Sequence, residues 1–197
     1  LGGSSAINAM VYMRGHRSDY DAWAAAGNPG WAYDDVLPYF RRAEHNEEFD
    51  DRFHGQGGPL NVARLRTDNP FHRRFLQAAR EAGHRINPDF NGAEQDGMGL
   101  NQVTQKDGQR CSAYRAYLAP ALKRPNLQVL TGVAAQRILF DGRRAAGVAA
   151  RQGGRSLHVR ARAEVLLCAG AFQSPQLLMV SGVGAPSDLK ARDVAVH

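Results

Sequence analysis

The chain is poor in cysteine and in lysine and has no long apolar run, and each shortage closes off a class of function. Only Cys111 and Cys168 occur in 197 residues, without Cys-x-x-Cys spacing, so no disulfide framework is encoded. Cys168 ends an apolar run and reads as a small buried hydrophobe, which fits a reducing compartment. No stretch approaches the roughly 20 apolar residues that span a bilayer. Lysine occurs only at 106, 123 and 190, so the net charge of +6 rests on arginine. Those arginines, Arg14, Arg17, Arg41, Arg42, Arg73, Arg74, Arg143 and Arg144 among them, are scattered without interleaved aromatics. They read as solvated surface, and a nucleic-acid partner is not indicated. No Gly-x-Ser-x-Gly elbow accompanies a histidine and an acid, so hydrolase chemistry has no support. The Gly-x-Gly-x-x-Gly element that seats a dinucleotide pyrophosphate is also missing.

What remains is an ordinary globular composition, 43% hydrophobic and 22% charged, long enough for one good core. Residues 1–15 read as a glycine-rich loop entering a helix or an extended lid. A short helix follows with Asp34 or Asp35 as its N-cap and Val36, Leu37, Phe40 and Ala43 on one face. The stretch 45–58 reads as a long surface loop, followed by a short strand from Pro59. Its His45, Glu47, Glu48, Asp50, Asp51 and His54 match no zinc or EF-hand spacing, so a solvated acidic loop is expected and no metal.

The best-marked helix is 70–82, capped by Asn69, with Pro70 at its first position and Gly83 past its end. Phe71, Phe75, Ala78, Ala79 and Ala82 form its expected apolar stripe. A further short helix begins at Ser112, carries Tyr114, Tyr117 and Leu118, and is expected to stop at Pro120. From 127 the period changes to two: strands are expected at 127–131, 133–140, 145–151 and 157–162, a meander with Asp141-Gly142 and Gly153-Gly154 in turns. The run Val165-Leu166-Leu167-Cys168 is continuously apolar, as in a strand buried on both faces. A Gly-Ala turn, Ser174 as N-cap and Pro175 at the first helical position then start a last helix ended by Gly182.

Two runs carry the chemistry. In Leu1-Gly2-Gly3-Ser4-Ser5-Ala6-Ile7-Asn8-Ala9-Met10-Val11-Tyr12-Met13-Arg14-Gly15, glycines and small hydroxyl residues let a backbone approach a flat or anionic ligand closely. The second, Gly170-Ala171-Phe172-Gln173-Ser174-Pro175-Gln176 through Gly184, follows an apolar run, as where a doubly wound domain aims a helix start at a ligand.

These runs, in this order, with Arg14-Gly15-His16-Arg17-Ser18-Asp19-Tyr20-Asp21-Ala22-Trp23 and Gly27-Asn28-Pro29-Gly30-Trp31 between them, resemble the two signatures of the GMC (glucose-methanol-choline) oxidoreductases. The resemblance covers essentially all 197 residues and is nearest the choline-dehydrogenase-like and aliphatic alcohol dehydrogenase branch. It implies an α+β chain, an internal fragment of a two-domain flavoprotein. Residues 1–15 would form an FAD-contacting loop or helix. Residues 16–125 would supply lid and substrate domain, and 126–197 a meander and a strand–turn–helix returning to the FAD-binding domain.

The resemblance further implies oxidation of a primary alcohol, choline-like or aliphatic, to an aldehyde by hydride transfer to flavin N5. Gly3 would lie against the flavin, Asn8, Ala9, Met10 and Val11 would pass its ring, and the Ala135 backbone would meet the adenine. Ile7 stands where some members carry a flavin-tethering histidine, so FAD is expected to be non-covalent. No catalytic residue is assigned within the chain, because the family's catalytic histidine lies in a C-terminal segment and His197 lacks its context. The chain alone is expected to be inactive and to self-associate or pair with the missing parts of the enzyme. Its setting would be bacterial, cytoplasmic or membrane-associated. The rival reading is a non-catalytic binding or interaction module derived from the substrate domain.

Overall fold

A computed structural model describes residues 1–197 and separates them into two units, Leu1–Leu127 and Gln128–His197. Helices and short strands are mixed in the α+β manner expected. None of the helices is long and apolar enough to cross a membrane.

The first unit opens with a 3₁₀ turn, Gly3–Ala6, and then runs extended. Helix α1 (Arg17–Ala25) starts on a reciprocal cap: Ser18 N–H donates to the His16 ring, and His16 N–H donates to Asp19. Helix α2 (Tyr33–Ala43) packs against it through Tyr20, which meets Phe40 at 5.8 Å and Tyr33 at 6.0 Å. Its N-cap is Ala32, earlier than expected, because Asp35 accepts from Ala32 N–H and acts from inside the first turn.

Strand β1 (Glu44–Asn46) follows α2 directly and pairs in parallel with β2 (Leu60–Arg64). Strand β2 pairs antiparallel with β3 (Gln102–Val103). The intervening loop returns against the end of α2 because Gly55 permits it: a Cβ there would stand 1.8 Å from the Arg41 carbonyl oxygen. Strands β4 (Gln105–Lys106) and β5 (Gln109–Arg110) form a hairpin turned through Asp107 and Gly108, both at positive φ.

Helix α3 (Pro70–Glu81) is capped by Asn69 as expected, with Phe71 N–H donating to its side chain. Its inward face differs from the expected stripe. Ala79 is buried and Leu76 half-buried, whereas Phe71, Phe75, Ala78 and Ala82 are exposed. Of the expected stripe only Ala79 turns inward; the inner face is instead the His72–Leu76–Ala79 row, one residue round the helix from Phe71 and Phe75. Pro120 does not stop the helix at 114. A π turn (Tyr114–Leu118) runs straight into α4 (Ala119–Ala121), which carries the proline as its second residue, so the helix continues through Pro120 for one more residue.

The second unit is a meander of β6 (Val133–Asp141), β7 (Arg144–Gln152) and β8 (Arg155–Arg160), with turns at Gly142 and at Gly153-Gly154 as expected. Residues 127–131 are not a strand, since they gain no ladder partner. Residues 165–168 also lack one: Leu166 is 77% exposed and Cys168 is exposed, against the expected buried strand. Helix α5 (Gly170–Val180) begins four residues before the expected cap. Pro175 sits within it, and Ser174 Oγ accepts from Ala169 N–H. Ser181 ties this helix to β6 by accepting from Ile138 N–H at 2.8 Å. A last short helix, α6 (Pro186–Lys190), places Leu189 at full burial.

Candidate functional site

Residues 1–13 form a strip whose 10–12 portion lies along the β3 edge of the first unit's sheet. Met10 O accepts from Thr104 N–H and Tyr12 N–H donates to Gln102 O, both at 2.8 Å, which places Val11 beside Val103 on β3. The strip begins with two left-handed glycines, Gly2 at φ +102 and Gly3 at φ +57. Nothing lies within 4 Å of a Cβ built on Gly3, so this backbone faces open space. Met10 is also left-handed, at φ +63, a conformation an L side chain adopts at a cost of about 1 kcal/mol or more.

Asn8 organises the turn. Its side-chain oxygen accepts from Met10 N–H at 3.0 Å and from Arg110 Nη1 at 2.8 Å. Five of the six expected site residues, Gly3, Asn8, Ala9, Met10 and Val11, therefore lie on one strip, and all but half-buried Met10 are exposed. Ile7 (86%), Val11 and Met13 leave an apolar surface open beside them. The sixth, Ala135, belongs to the second unit. It pairs with Ala150 across a β-bulge and lines a concavity of about 540 Å³ with Gln173, Gln176 and Leu177.

The inner end of the strip is held by charge. Arg14 is 5% exposed; its Nη1 donates to Phe53 O at 2.7 Å and its Nη2 pairs with Glu44. Glu44 is fully buried and also faces His54 Nδ1 at 3.1 Å, while His54 Nε2 lies 3.0 Å from Asp89. Asp89 in turn accepts from Asn91 N–H at 2.9 Å. Asn91 closes the chain by accepting from Arg14 N–H at 2.8 Å and donating to Tyr12 O at 3.1 Å. Gln95 adds a bond to Arg14 O. The alternating signs of Arg14, Glu44, His54 and Asp89 let four charges share a core that none could enter alone.

Burial disfavours the charge of His54, but the hydrogen bonds to Asp89 and Glu44 outweigh it and lift the pKa to about 9. Burial likewise pushes Glu44 up, yet its bonds to His54 and Asn46 and the Arg14 charge hold it below the usual carboxylate range. Asp89 is lowered in the same way, burial being overcome by His54 and by Asn91 N–H. Burial raises Tyr12, partly offset by Arg14. The expected solvated loop at 45–58 is thus corrected: its exposed acids frame a buried hub. Asp51, His54 and Asp89 bring potential ligand atoms within 4.8 Å of one another. Both His54 ring nitrogens already face carboxylates, Glu44 and Asp89, so the group reads as an ion-pair chain.

Sequence reasoning passed over Glu44 and Asp89 and read His54 as part of a solvated loop, because their partners lie 10 to 35 residues away. The Asn87-Pro88-Asp89-Phe90-Asn91-Gly92 run was the one local signal. It is a turn-forming series whose side chains bond their own backbone: Asp89 N–H donates to Asn87 and Asn91 N–H to Asp89.

The family model described as GMC oxidoreductase matches residues 1–194. An oxygen-dependent choline dehydrogenase of Brucella anthropi is 46% identical over 196 residues, covering all of this chain and 36% of that protein. One of Sinorhizobium fredii is 47% identical over 190 residues, 96% of this chain and 34% of its own length. The chain therefore spans about a third of the curated relatives it matches. Among solved structures, pyridoxine 4-oxidase from Mesorbium loti superposes with a TM-score of 0.89 at 38% identity, over 98% of this chain and 38% of that one. An FAD-dependent oxidoreductase from Chaetomium thermophilum gives 0.93 at 31% identity, over 99% and 36%.

Proposed function

The chain belongs to the GMC oxidoreductase family, and from that premise we propose that it is the flavin-facing portion of a longer FAD-dependent enzyme. That enzyme oxidises a primary alcohol, choline-like or aliphatic, to the aldehyde. The observation that carries the reading is the exposed Gly3–Val11 surface, in which left-handed backbone, an Asn amide and apolar side chains share one edge. A flat ring fits there: Gly3 presents no Cβ, no bond is made by the Asn8 amide nitrogen, and Val11 and Met13 are open.

In this reading the strip binds and orients the ring, with Ala9, Met10 and Val11 along it and the Asn8 amide donating to a ring heteroatom. Apolar Val11 and Met13 exclude water from its face. When bound, FAD supplies the acceptor for the hydride leaving the alcohol carbon. Ile7 carries no nucleophile, so the cofactor is held without a covalent tether. In the second unit, the Ala135 backbone and its concavity take the adenine. The strip contains no general base, so the hydroxyl proton is taken by a group outside it.

The relatives' printed names favour choline as the alcohol. The test is anaerobic addition of choline and of simple primary alcohols to the purified full protein, followed by its visible spectrum. Bound flavin that bleaches with one of them is expected. Absence of flavin, or flavin that no alcohol bleaches, contradicts the reading.

A further inference from the structure

We propose that Arg110 is a positioning residue for the flavin-facing strip, fixing the Ser5–Asn8 turn and thereby aiming the Asn8 amide nitrogen outward. The inference rests on the flavin reading above and deepens it, because nothing in the two signature runs points to a residue a hundred positions away.

One guanidinium nitrogen, Nη1 of Arg110, reaches both the Ser5 carbonyl oxygen, at 3.1 Å, and the Asn8 side-chain oxygen, at 2.8 Å. Arg110 makes no ion pair, so its charge is directed at these two neutral acceptors. A third bond, from Ala113 N–H to Ser5 Oγ at 2.9 Å, ties the same turn to the same segment.

The consequence for Asn8 follows from its donor and acceptor inventory. An Asn side chain has one oxygen and one NH₂, and here the oxygen already faces two donors, Met10 N–H and Arg110. Flipping the amide would set its NH₂ against an N–H and a cation. Arg110 therefore decides the orientation, and the NH₂ is left on the exposed side of the strip. Met10 N–H alone holds the oxygen less firmly, since a neutral bond is about half as strong as a charge-assisted one.

The arginine is itself well seated. It ends the β4–β5 hairpin opposite Gln105, whose carbonyl accepts from Asn61 Nδ2 at 2.7 Å. Cys111 N–H, the next along the chain, donates to Thr104 O at 2.9 Å. Thr104 N–H donates to Met10 O, so the hairpin and the strip share one hydrogen-bonded frame. Lysine could not replace the arginine fully, because its flexible stem lacks the planar fork.

The experiment measures the FAD dissociation constant and the visible spectrum of bound flavin in the full protein, for Arg110→Ala, Arg110→Lys, Asn8→Ala and the double variant Asn8→Ala/Arg110→Ala. Arg110→Ala is expected to weaken FAD binding roughly tenfold or more and to alter the flavin band shape. Arg110→Lys should recover only part of both. If Arg110 acts through Asn8, its removal costs much less in the Asn8→Ala background than in wild type. Equal losses in the two backgrounds, or wild-type binding by Arg110→Ala, would overturn the proposal. If Arg110→Ala does not fold, the cycle is run with Arg110→Lys and judged in the same way. Wild-type protein that holds no flavin overturns this inference together with the reading beneath it. Wild type that holds flavin beside an Arg110→Ala variant that holds it equally well overturns the role of Arg110 alone.

Discussion

The two ends of one strip differ in almost every physical respect. Residues 1–11 are mostly exposed, apolar or glycine-rich, and bonded chiefly through backbone. Arg14, three residues on, is buried in a chain of four charges and three amide side chains. The outer end is open surface, to which the proposed function assigns the flavin, whereas the inner end is satisfied by its own protein. A flat ligand needs open, well-ordered backbone, and order without packing must come from elsewhere. The buried hub supplies it by clamping Tyr12 and Arg14 through Asn91 and Gln95.

That division of labour can be broken from the inner end first. Glu44→Gln leaves Arg14 and His54 facing each other without their shared anion, and should cost about 3–5 kcal/mol in urea unfolding. The same hub sets a pH dependence. His54 is raised in the fold, so its contribution is complete below about 6.5 and is lost as pH rises through about 9. Glu44 and Asp89 are lowered, so theirs is present above their ordinary values of 4.5 and 3.8 and is lost on acidification below them. Stability should therefore peak between about pH 4.5 and 6.5 and fall by on the order of 2–3 kcal/mol by pH 9. Urea titrations at several pH values measure this, and His54→Gln should flatten the alkaline limb.

Smaller effects sharpen the contrast. Gly55→Ala forces a Cβ against the Arg41 carbonyl and should cost about 1–3 kcal/mol, read from the thermal midpoint. Gly3→Ala meets no atom, so only its left-handed backbone resists, at about 1 kcal/mol. Its larger effect should be on FAD affinity, measured by titration, because the new methyl occupies the surface assigned to the ring.

How much could be read in advance follows the same line. The open, glycine-led backbone of the outer strip was legible because its signals are local: glycines, a turn-forming Asn and small side chains stand in sequence. The Asn69 cap and the Gly142 and Gly153-Gly154 turns were legible for the same reason. The hub was not, since a Glu at a helix end and a His in an acidic loop look solvated until Arg14 and Asp89 are brought to them. Two prolines misled in a related way. Pro120 and Pro175 mark helix boundaries on average, but here the π turn at 114–118 continues through one into α4 and the other lies within α5. Phe71 and Phe75 show that period alone does not choose which of two stripes a helix turns inward.

The most direct test pairs FAD affinity with the unfolding midpoint for Asn8→Ala in the full protein. If the outer strip is ligand surface held in shape from beneath, affinity falls roughly tenfold or more while the midpoint moves by less than about 1 kcal/mol equivalent. An unchanged affinity, or a midpoint that falls as far as in Glu44→Gln, would contradict the account.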